Sequence, residues 1–570
     1  MKRARKSPRP NPARVAAVAA PPEKPAPTER RIAWAAALAL VAFAVFSNTI
    51  DGSFVWDDEQ FIERNVYLTS WTHVPALLTQ NMVAGAGITS NLYRPFQALT
   101  HFMDVRLWGL RPQGHHLTNV LLHAFATGVF FWWLSGLVPL GTAGAVTALF
   151  ACHPLQSEAV AYISGRGDTL AILFCCLALA LSGSRLFLAT FCAALAVLSK
   201  ESLAMFPIFL LLHEHAAGRK FDWRRHAPFW LLSGLYVALR LSVLNFHNTL
   251  NFYGQSNVLT EHPLWRLQTY LTTLPKGLLL WLWPSDLHHE RSWEVYASAF
   301  DARVALSALA AVAWAGAILW SWRRRPVLAA GLAMFVAATL PTSNLVVIIN
   351  ALFYDHWFLL PGVGLALAVC QIPWLREGRA LALAVAFGLA FIAAWQARVM
   401  NRVWHDPVAL YSHILRYEPR DAKIHNNLAM ALSDEGKMAE AIEHYRAAIA
   451  LSDEYPQTHH NLGRAFEQQG RFEDAEAEYR RAIAMSPTFY QSHVALGGLL
   501  LRKGNSSEAA SSFQSAIAVY PYAAEPYLFL AQMRVSSGDI AGARSIIEKG
   551  LEAVDDPRMR LARDQLRGMH

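Results

Sequence analysis

The sequence predicts an all-α protein in two parts, a polytopic transmembrane helical domain followed by an α-solenoid of short repeats. Three observations predict it. Apolar residues make up 54% of the 570-residue chain and charged residues 16%, with 19 Trp and 30 Phe, a composition that points to a membrane protein. Charged residues number 40 among the 368 of segment 32–399 but 41 among the 171 of segment 400–570, the change in density expected between lipid-embedded and water-exposed chain. From about residue 400, small and aromatic residues recur every 34 positions.

The formal charge of +8 would, on a soluble chain, raise the question of nucleic acid. Its location removes that reading: residues 1–31 hold nine Lys/Arg against two acids. This Pro-, Ala- and Arg-rich stretch cannot build a core, so residues 1–31 are expected to be a disordered basic tail. Ile32–Ile50 is apolar enough to cross a bilayer, and Arg30 and Arg31 precede it. No clear A-x-A site follows, so a retained signal anchor is expected, with the tail in the cytoplasm by the positive-inside rule.

Further spans are expected at roughly 115–137, 142–163, 168–184, 186–199, 201–213, 228–245, 302–322, 326–342, 355–372 and 379–398. This order places Arg219, Lys220, Arg224 and Arg225 inside. Arg323 to Arg325 also fall inside if the apolar stretch 263–284 re-enters or lies along the interface rather than crossing. The expected domain at 32–399 then has eleven spans, with an outside loop at 51–113 and the repeats on the face opposite the tail. Cys152, Cys175, Cys176, Cys192 and Cys370 lie in apolar stretches without metal-ligand spacing and read as small hydrophobes. No metal site and no resident cofactor are expected.

In the last part, 400–570, Ala429, Gly463, Gly497 and Ala531 share one register position, and Gly436, Gly470, Gly504 and Gly538 another. Ala441, Ala475, Ala509 and Ala543 follow, then Tyr445, Tyr479, Phe513 and Ile547. This pattern resembles the tetratricopeptide repeat, in which small residues let two antiparallel helices approach and a large side chain fills the gap between them. A half unit at 404–419 joins the array to the last span. Such an array presents an extended groove for a polypeptide; the plainer alternative is a cap that only stabilises the assembly.

The loop after the first span carries Asp57, Asp58 and Glu59 between aromatic residues, just outside the bilayer. Desolvation and mutual repulsion there can raise a carboxylate towards the range of a working base, although a solvated acidic turn is the plainer reading. Arg94 follows in the same loop. His116 and His123 lie on the second span, His153 and Glu158 late in the third, Arg166 and Asp168 just after it, Lys200 and Glu201 between the fifth and sixth, and Asp355 and His356 at the tenth. The topology above puts all of them at the outer face. Ionisable residues in membrane segments are costly to bury and commonly functional. Each also has a structural reading: His123 as a core histidine, Arg166 and Asp168 as a local pair, Lys200 and Glu201 as an interfacial turn.

The acidic pair, Tyr93-Arg94-Pro95, the Gly-x-His-Leu-x-Asn element at 114–119, His153-Pro154 with Glu158, Gly165-Arg166-Gly-Asp168, Lys200-Glu201 and Pro341-x-Ser343-Asn344 together resemble a known family. It comprises the transmembrane and tetratricopeptide-repeat-containing (TMTC-like) protein O-mannosyltransferases and their bacterial relatives. The similarity covers about residues 32–550 and includes the order of the domains. It implies a GT-C-like fold and a membrane glycosyltransferase of the extracytoplasmic face, here of a bacterial inner membrane. It also implies that the sugar, mannose by resemblance, comes from a polyprenyl-phosphate donor. Where relatives tend to have Glu-Arg ahead of a Leu-Tyr-Leu-Pro element, this chain has Asp355-His356 ahead of Phe358-Leu-Leu-Pro361. A titratable imidazole thus stands at the place of a permanent cation.

Transfer from a lipid phosphate needs a base, cations for the departing phosphate and an apolar groove. Asp57 or Asp58 is the expected base, with Asp57 the first choice and the two acids in different roles. His116, His153, Glu158, Arg166, Asp168, Lys200, Glu201, His356 and Arg94 form the expected substrate and lipid-phosphate contacts. The repeats would present a protein acceptor or hold a partner. The rival from another class is an inactive, membrane-anchored repeat scaffold. A transporter would show Gly/Pro-broken spans in matching halves, and the sequence has no such pairing.

Overall fold

The computed structural model describes residues 27–88, 90–244, 258–349 and 351–568; residues 1–26 of the expected basic tail lie outside them. The described residues are helical with irregular connections and contain no strand. The chain divides into two compact units, one of Met1–Leu287 with Arg291–His405, the other of His288–Glu290 with Asp406–His570.

In the first unit, five segments among the described residues are long and apolar enough to cross a membrane: Thr28–Thr49, Pro112–Leu134, Ile163–Leu181, Ala302–Ser321 and Ala380–Trp404. The first helix starts at Thr28, before the expected Ile32. Arg31 explains the extra turn, because its guanidinium donates to the Trp132 carbonyl at 2.7 Å and to Ser135 Oγ at 3.1 Å, and lies 4.0 Å from the Trp132 ring centre.

Shorter apolar helices lie at Leu140–Ala151, Leu186–Ser199, Pro326–Thr342 and Asp355–Val369; two coincide with the expected spans 186–199 and 326–342, while the others fall short of theirs. The expected span 142–163 illustrates the cause. Its helix ends at Ala151, a six-residue helix follows at Gln156–Ala161, and the chain then turns through Ile163–Gly165. Pro154 lacks an N–H and disfavours the helical conformation at His153, so the sequence His153-Pro154 breaks the span. The expected re-entrant stretch 263–284 is one helix, Pro263–Leu282, running through Pro275. Arg266, Gln268 and Lys276 interrupt its apolar character.

The core of this unit is a cluster of apolar side chains that includes Phe130, Phe131, Trp133, Phe150, Phe206 and Phe335. Helices Pro326–Thr339 and Leu359–Val369 pack closely, since a Cβ on Gly331 would stand 2.6 Å from the Gly364 carbonyl oxygen and from the Ala368 nitrogen. Small residues at such a crossing let dispersion act between backbones where no hydrophobic force is available in lipid. All five cysteines are free and buried.

In the second unit, helix Pro407–Tyr417 precedes four helix pairs that begin at Ala422, Pro456, Tyr490 and Ala524. Gly436, Gly470, Gly504 and Gly538 all take φ between +74° and +82°, a conformation open to glycine at the end of a helix. The small-and-aromatic register has a direct contact behind it: a Cβ on Gly463 would lie 2.8 Å from Tyr479, and one on Gly497 2.6 Å from Phe513. Ala441, Ala475, Ala509 and Ala543 are fully buried. A further register position ties three of the four pairs to the preceding turn: His425, His493 and Tyr527 bond the carbonyls of Pro419, Pro487 and Pro521 at 3.0–3.2 Å.

Candidate functional site

The loop that carries the acidic pair enters it through a strained residue. Trp56 has φ +57°, a left-handed conformation that costs a bulky side chain roughly 1–2 kcal/mol and is found most often where function constrains the backbone. The chain then coils through Glu59–Glu63, and the two acids part. Asp57 is half-buried, with its carbonyl oxygen accepting from the Gln60 and Phe61 amides at 3.0 and 2.9 Å. Asp58 is fully buried.

Asp58 Oδ1 accepts from both the amide (2.8 Å) and the hydroxyl (2.5 Å) of Ser164, and Oδ2 accepts from the Val55 amide at 3.1 Å. Burial pushes its carboxyl up to about 7, against the pull of those hydrogen bonds and with a small push from the Asp57 charge. Ser164 is itself held, because Gln97 Nε2 donates to its carbonyl at 2.7 Å. Tyr162, two residues earlier, hydrogen-bonds the Ser164 side chain and interacts with the charges of Asp57, Asp58 and Glu158. Tyr162 thus feels the charge of carboxylates from two distant parts of the chain.

Most of the other expected contact residues fall into pairs or brace the backbone. Glu158 Oε1 and His356 Nδ1 are 2.5 Å apart. His153 uses both ring nitrogens, Nδ1 accepting from the Leu155 amide at 3.2 Å and Nε2 facing the Trp281 carbonyl oxygen at 3.2 Å. This histidine therefore holds the break after Ala151. His116 Nε2 faces the Ser53 carbonyl oxygen at 3.3 Å, and His123 Nε2 that of Ala151 at 3.0 Å, so both brace the backbone. Arg94 forks onto Glu201 with two bonds of 2.8 Å, and Lys200 pairs with Asp168.

Arg166 and Asp168 do not pair with each other, contrary to the local reading. The fully buried Arg166 guanidinium bonds Asp104 Oδ2, Asn119 Oδ1 at 2.6 Å and Thr100 Oγ1 at 3.2 Å. Asn119 in turn donates to the carbonyls of Val160, Tyr162 and Ile163 at 3.2–3.3 Å. Arg166 thus fixes the backbone that presents Ser164 to Asp58. As a helical turn places residues three and four apart on one face, Arg166 and Asp168 point in different directions.

His101, Asp104 and His115 offer ligand atoms within 4.8 Å of one another. A divalent cation there would sit beside the Arg166 charge that already neutralises Asp104, in an interior where uncompensated charge costs several kcal/mol.

Several of these partners carry no expectation from the sequence. Gln97, Thr100, His101 and Asp104 lie at i, i+3, i+4 and i+7 on helix Pro95–Trp108, a polar stripe whose periodicity is a readable signal. Arg291 lies in an irregular stretch without one. Its guanidinium forks onto Asp355 at 2.9 and 3.0 Å and reaches Asp286 Oδ2 at 3.1 Å, while Lys276 bonds the same Asp286 oxygen at 2.6 Å. A permanent cation from another segment thus pairs with Asp355, the neighbour of His356 in sequence.

Tetratricopeptide repeat family models match residues 420–488, 460–524 and 500–566. The chain is 26% identical over 507 residues to "Protein O-mannosyl-transferase TMTC1" of Homo sapiens, covering 76% of this chain and 57% of that protein. It is 26% identical over 483 residues to "Protein O-mannosyl-transferase TMTC4" of Mus musculus, covering 71% and 65%. Over 147 residues, 24% of this chain and 17% of the relative, it is 37% identical to "Protein O-mannosyl-transferase TMTC2" of Mus musculus. The chain therefore spans less than two thirds of the length of these relatives. Among solved structures, a thermophilic TPR protein of Thermus thermophilus is 20% identical, with 34% of this chain and 96% of that chain covered and a TM-score of 0.25.

Proposed function

We propose that this membrane-protein homologue of the TMTC protein O-mannosyl-transferases is itself a glycosyltransferase of the GT-C type. It would transfer a sugar, mannose by homology, from a polyprenyl-phosphate donor to a hydroxyl of a protein on the extracytoplasmic face. The observation that supports this reading is the fully buried Asp58, held by Ser164 directly beside the half-buried Asp57 and after the strained Trp56. In the scheme, Asp57 takes the proton of the acceptor hydroxyl as its oxygen attacks the anomeric carbon. The bond from that carbon to the phosphate oxygen breaks, the electron pair leaves with polyprenyl phosphate, and direct displacement inverts the anomeric centre. Asp58 anchors the loop through Ser164 rather than touching the substrate. The group transferred comes from the donor, so the scheme needs no resident cofactor.

The phosphate is assigned to Arg94. Its side chain is 17% exposed and that of its partner Glu201 43%, against 8% and 9% for Lys200 and Asp168. An incoming phosphate can displace the more exposed carboxylate and take over a forked, charge-assisted contact. Arg166, neutralised in the interior, acts as a positioning residue. Orientation follows from the positive-inside rule, with the repeats outside. A single Cys introduced near Gly504 tests this: labelling by a membrane-impermeant reagent in intact cells supports the arrangement, and protection overturns it.

The scaffold reading has one observation in its favour, that Arg94, Arg166, Lys200 and His356 each already face a carboxylate. Purified chain given polyprenyl-phosphate mannose and a Ser/Thr-containing polypeptide separates the two. The transferase releases free polyprenyl phosphate and modifies the polypeptide, whereas a scaffold does neither.

A further inference from the structure

The repeat unit holds an open groove of about 1300 Å³, larger than the roughly 300–1,000 Å³ of pockets that take small molecules. It runs between the last two helix pairs. Leu501, Ile517, Phe529, Leu530, Met533 and Ile546 give it apolar surface. Its charged lining is Arg502, Arg534 and Lys549 against Glu467 alone. The sign is opposite to that of the surrounding domain, since segment 400–570 holds 19 Lys/Arg and 22 Asp/Glu. Cations are therefore concentrated in this groove. Arg502 is paired with Glu467 and Arg534 with Asp539 at 3.2 Å, while Lys549 is exposed and has no ion-pair partner among the described residues.

We propose that this groove binds an acidic polypeptide segment whose Asp or Glu residues are interspersed with apolar ones. The apolar side chains fill the surface between Leu501 and Ile546, and the carboxylates meet Lys549 and Arg534. Glutamines 514 and 532 on the lining can hydrogen-bond the backbone of an extended chain. The proposal deepens the acceptor-binding role given to the repeats and rests on that reading for the identity of the bound chain as an acceptor. Binding itself is measured separately. Complementary charge of this kind acts on partner choice and association rate more than on raw affinity, so a charge-reversed ligand is the informative comparison.

The test uses full-length protein in detergent and a fluorescein-labelled 14-residue peptide of Glu, Leu, Ala and Gly, with a matched peptide carrying Lys for Glu. Fluorescence anisotropy is expected to show binding of the acidic peptide, weakened by added salt, and at least tenfold weaker binding of the basic one. Lys549→Glu, at an exposed position whose change leaves no partner unpaired, is expected to weaken the acidic peptide at least tenfold. Lys549→Arg should keep the affinity, and Arg560→Glu, outside the groove lining, should leave it unchanged. Equal binding of the two peptides, or full affinity in Lys549→Glu, overturns the proposal. The peptide has no hydroxyl side chain and no donor is present. A failure here thus leaves the transfer reading standing, and a failed transfer assay leaves the groove standing.

Discussion

Asp58 receives two hydrogen bonds on one carboxylate oxygen from a single residue, the amide and hydroxyl of Ser164. This contact ties the first loop to the start of the Ile163–Leu181 segment and buries one of two adjacent acids. Asp57, beside it, is half-buried.

The burial of Asp58 makes stability depend on pH. Its carboxyl is raised by burial to about 7 from the ordinary 3.8, so the folded state holds a proton that the unfolded state has lost between those values. The stabilisation is fully present below about pH 4 and is lost as pH rises through 7, with a size on the order of 4 kcal/mol. The thermal midpoint of the wild type should fall between pH 5 and pH 8, and Asp58→Asn should remove most of that fall. Equal pH dependence in both proteins would contradict the assignment.

Arg94 and Glu201 should respond in opposite directions to donor. If phosphate displaces the carboxylate, Arg94→Ala raises KM for the donor at least tenfold, and Glu201→Gln lowers it by freeing the guanidinium. Initial rates over a range of donor concentrations measure both. A raised KM in Glu201→Gln would sink the exchange.

Arg166 and Asp104 should behave as a buried pair. Removing one partner leaves an unpaired charge and costs roughly 3–5 kcal/mol, whereas replacing both with apolar residues of similar volume costs much less. Arg166→Met is expected to lower the thermal midpoint sharply, with Asp104→Leu in the same chain recovering part of the loss. An additive loss in the double variant would show that the two act independently.

In the repeats, His459 bridges Asp453 and Glu478, each at 2.6 Å. Burial works against its charge, but the two carboxylates outweigh this and raise the imidazole above its ordinary value. The resulting stability is present below about pH 6.5 and is lost as pH rises through the raised value. With Asp453 largely exposed to solvent, it amounts to no more than about 1 kcal/mol. Melting of the repeat helices, followed by circular dichroism from pH 6 to pH 9, should shift downward in the wild type and less in His459→Gln. A wild-type midpoint that rises with pH would reverse the sign.

The repeats were readable because a 34-residue period fixes every contact locally: the position of Gly463 in one helix determines that of Tyr479 in the next. Asp57 and Asp58 were readable as a pair because three consecutive acids beside a bilayer need an explanation. The burial of Asp58 was not, since it depends on Ser164, more than a hundred residues away. Pairing in space also hid the partners of the cations. Arg166 has Asp168 two positions away and bonds Asp104 instead, and Asp355 lacks a neighbouring arginine in sequence yet receives Arg291. Span boundaries suffered from a local cause, the break at His153-Pro154, where apolarity continues but the helix cannot.

In the proposed transfer Asp57 is the base. The direct test of that role is release of free polyprenyl phosphate from donor and acceptor polypeptide by Asp57→Asn, in protein whose thermal midpoint matches the wild type. Loss of a general base predicts a rate roughly 10²–10⁴-fold lower. Full wild-type turnover in Asp57→Asn would contradict the account.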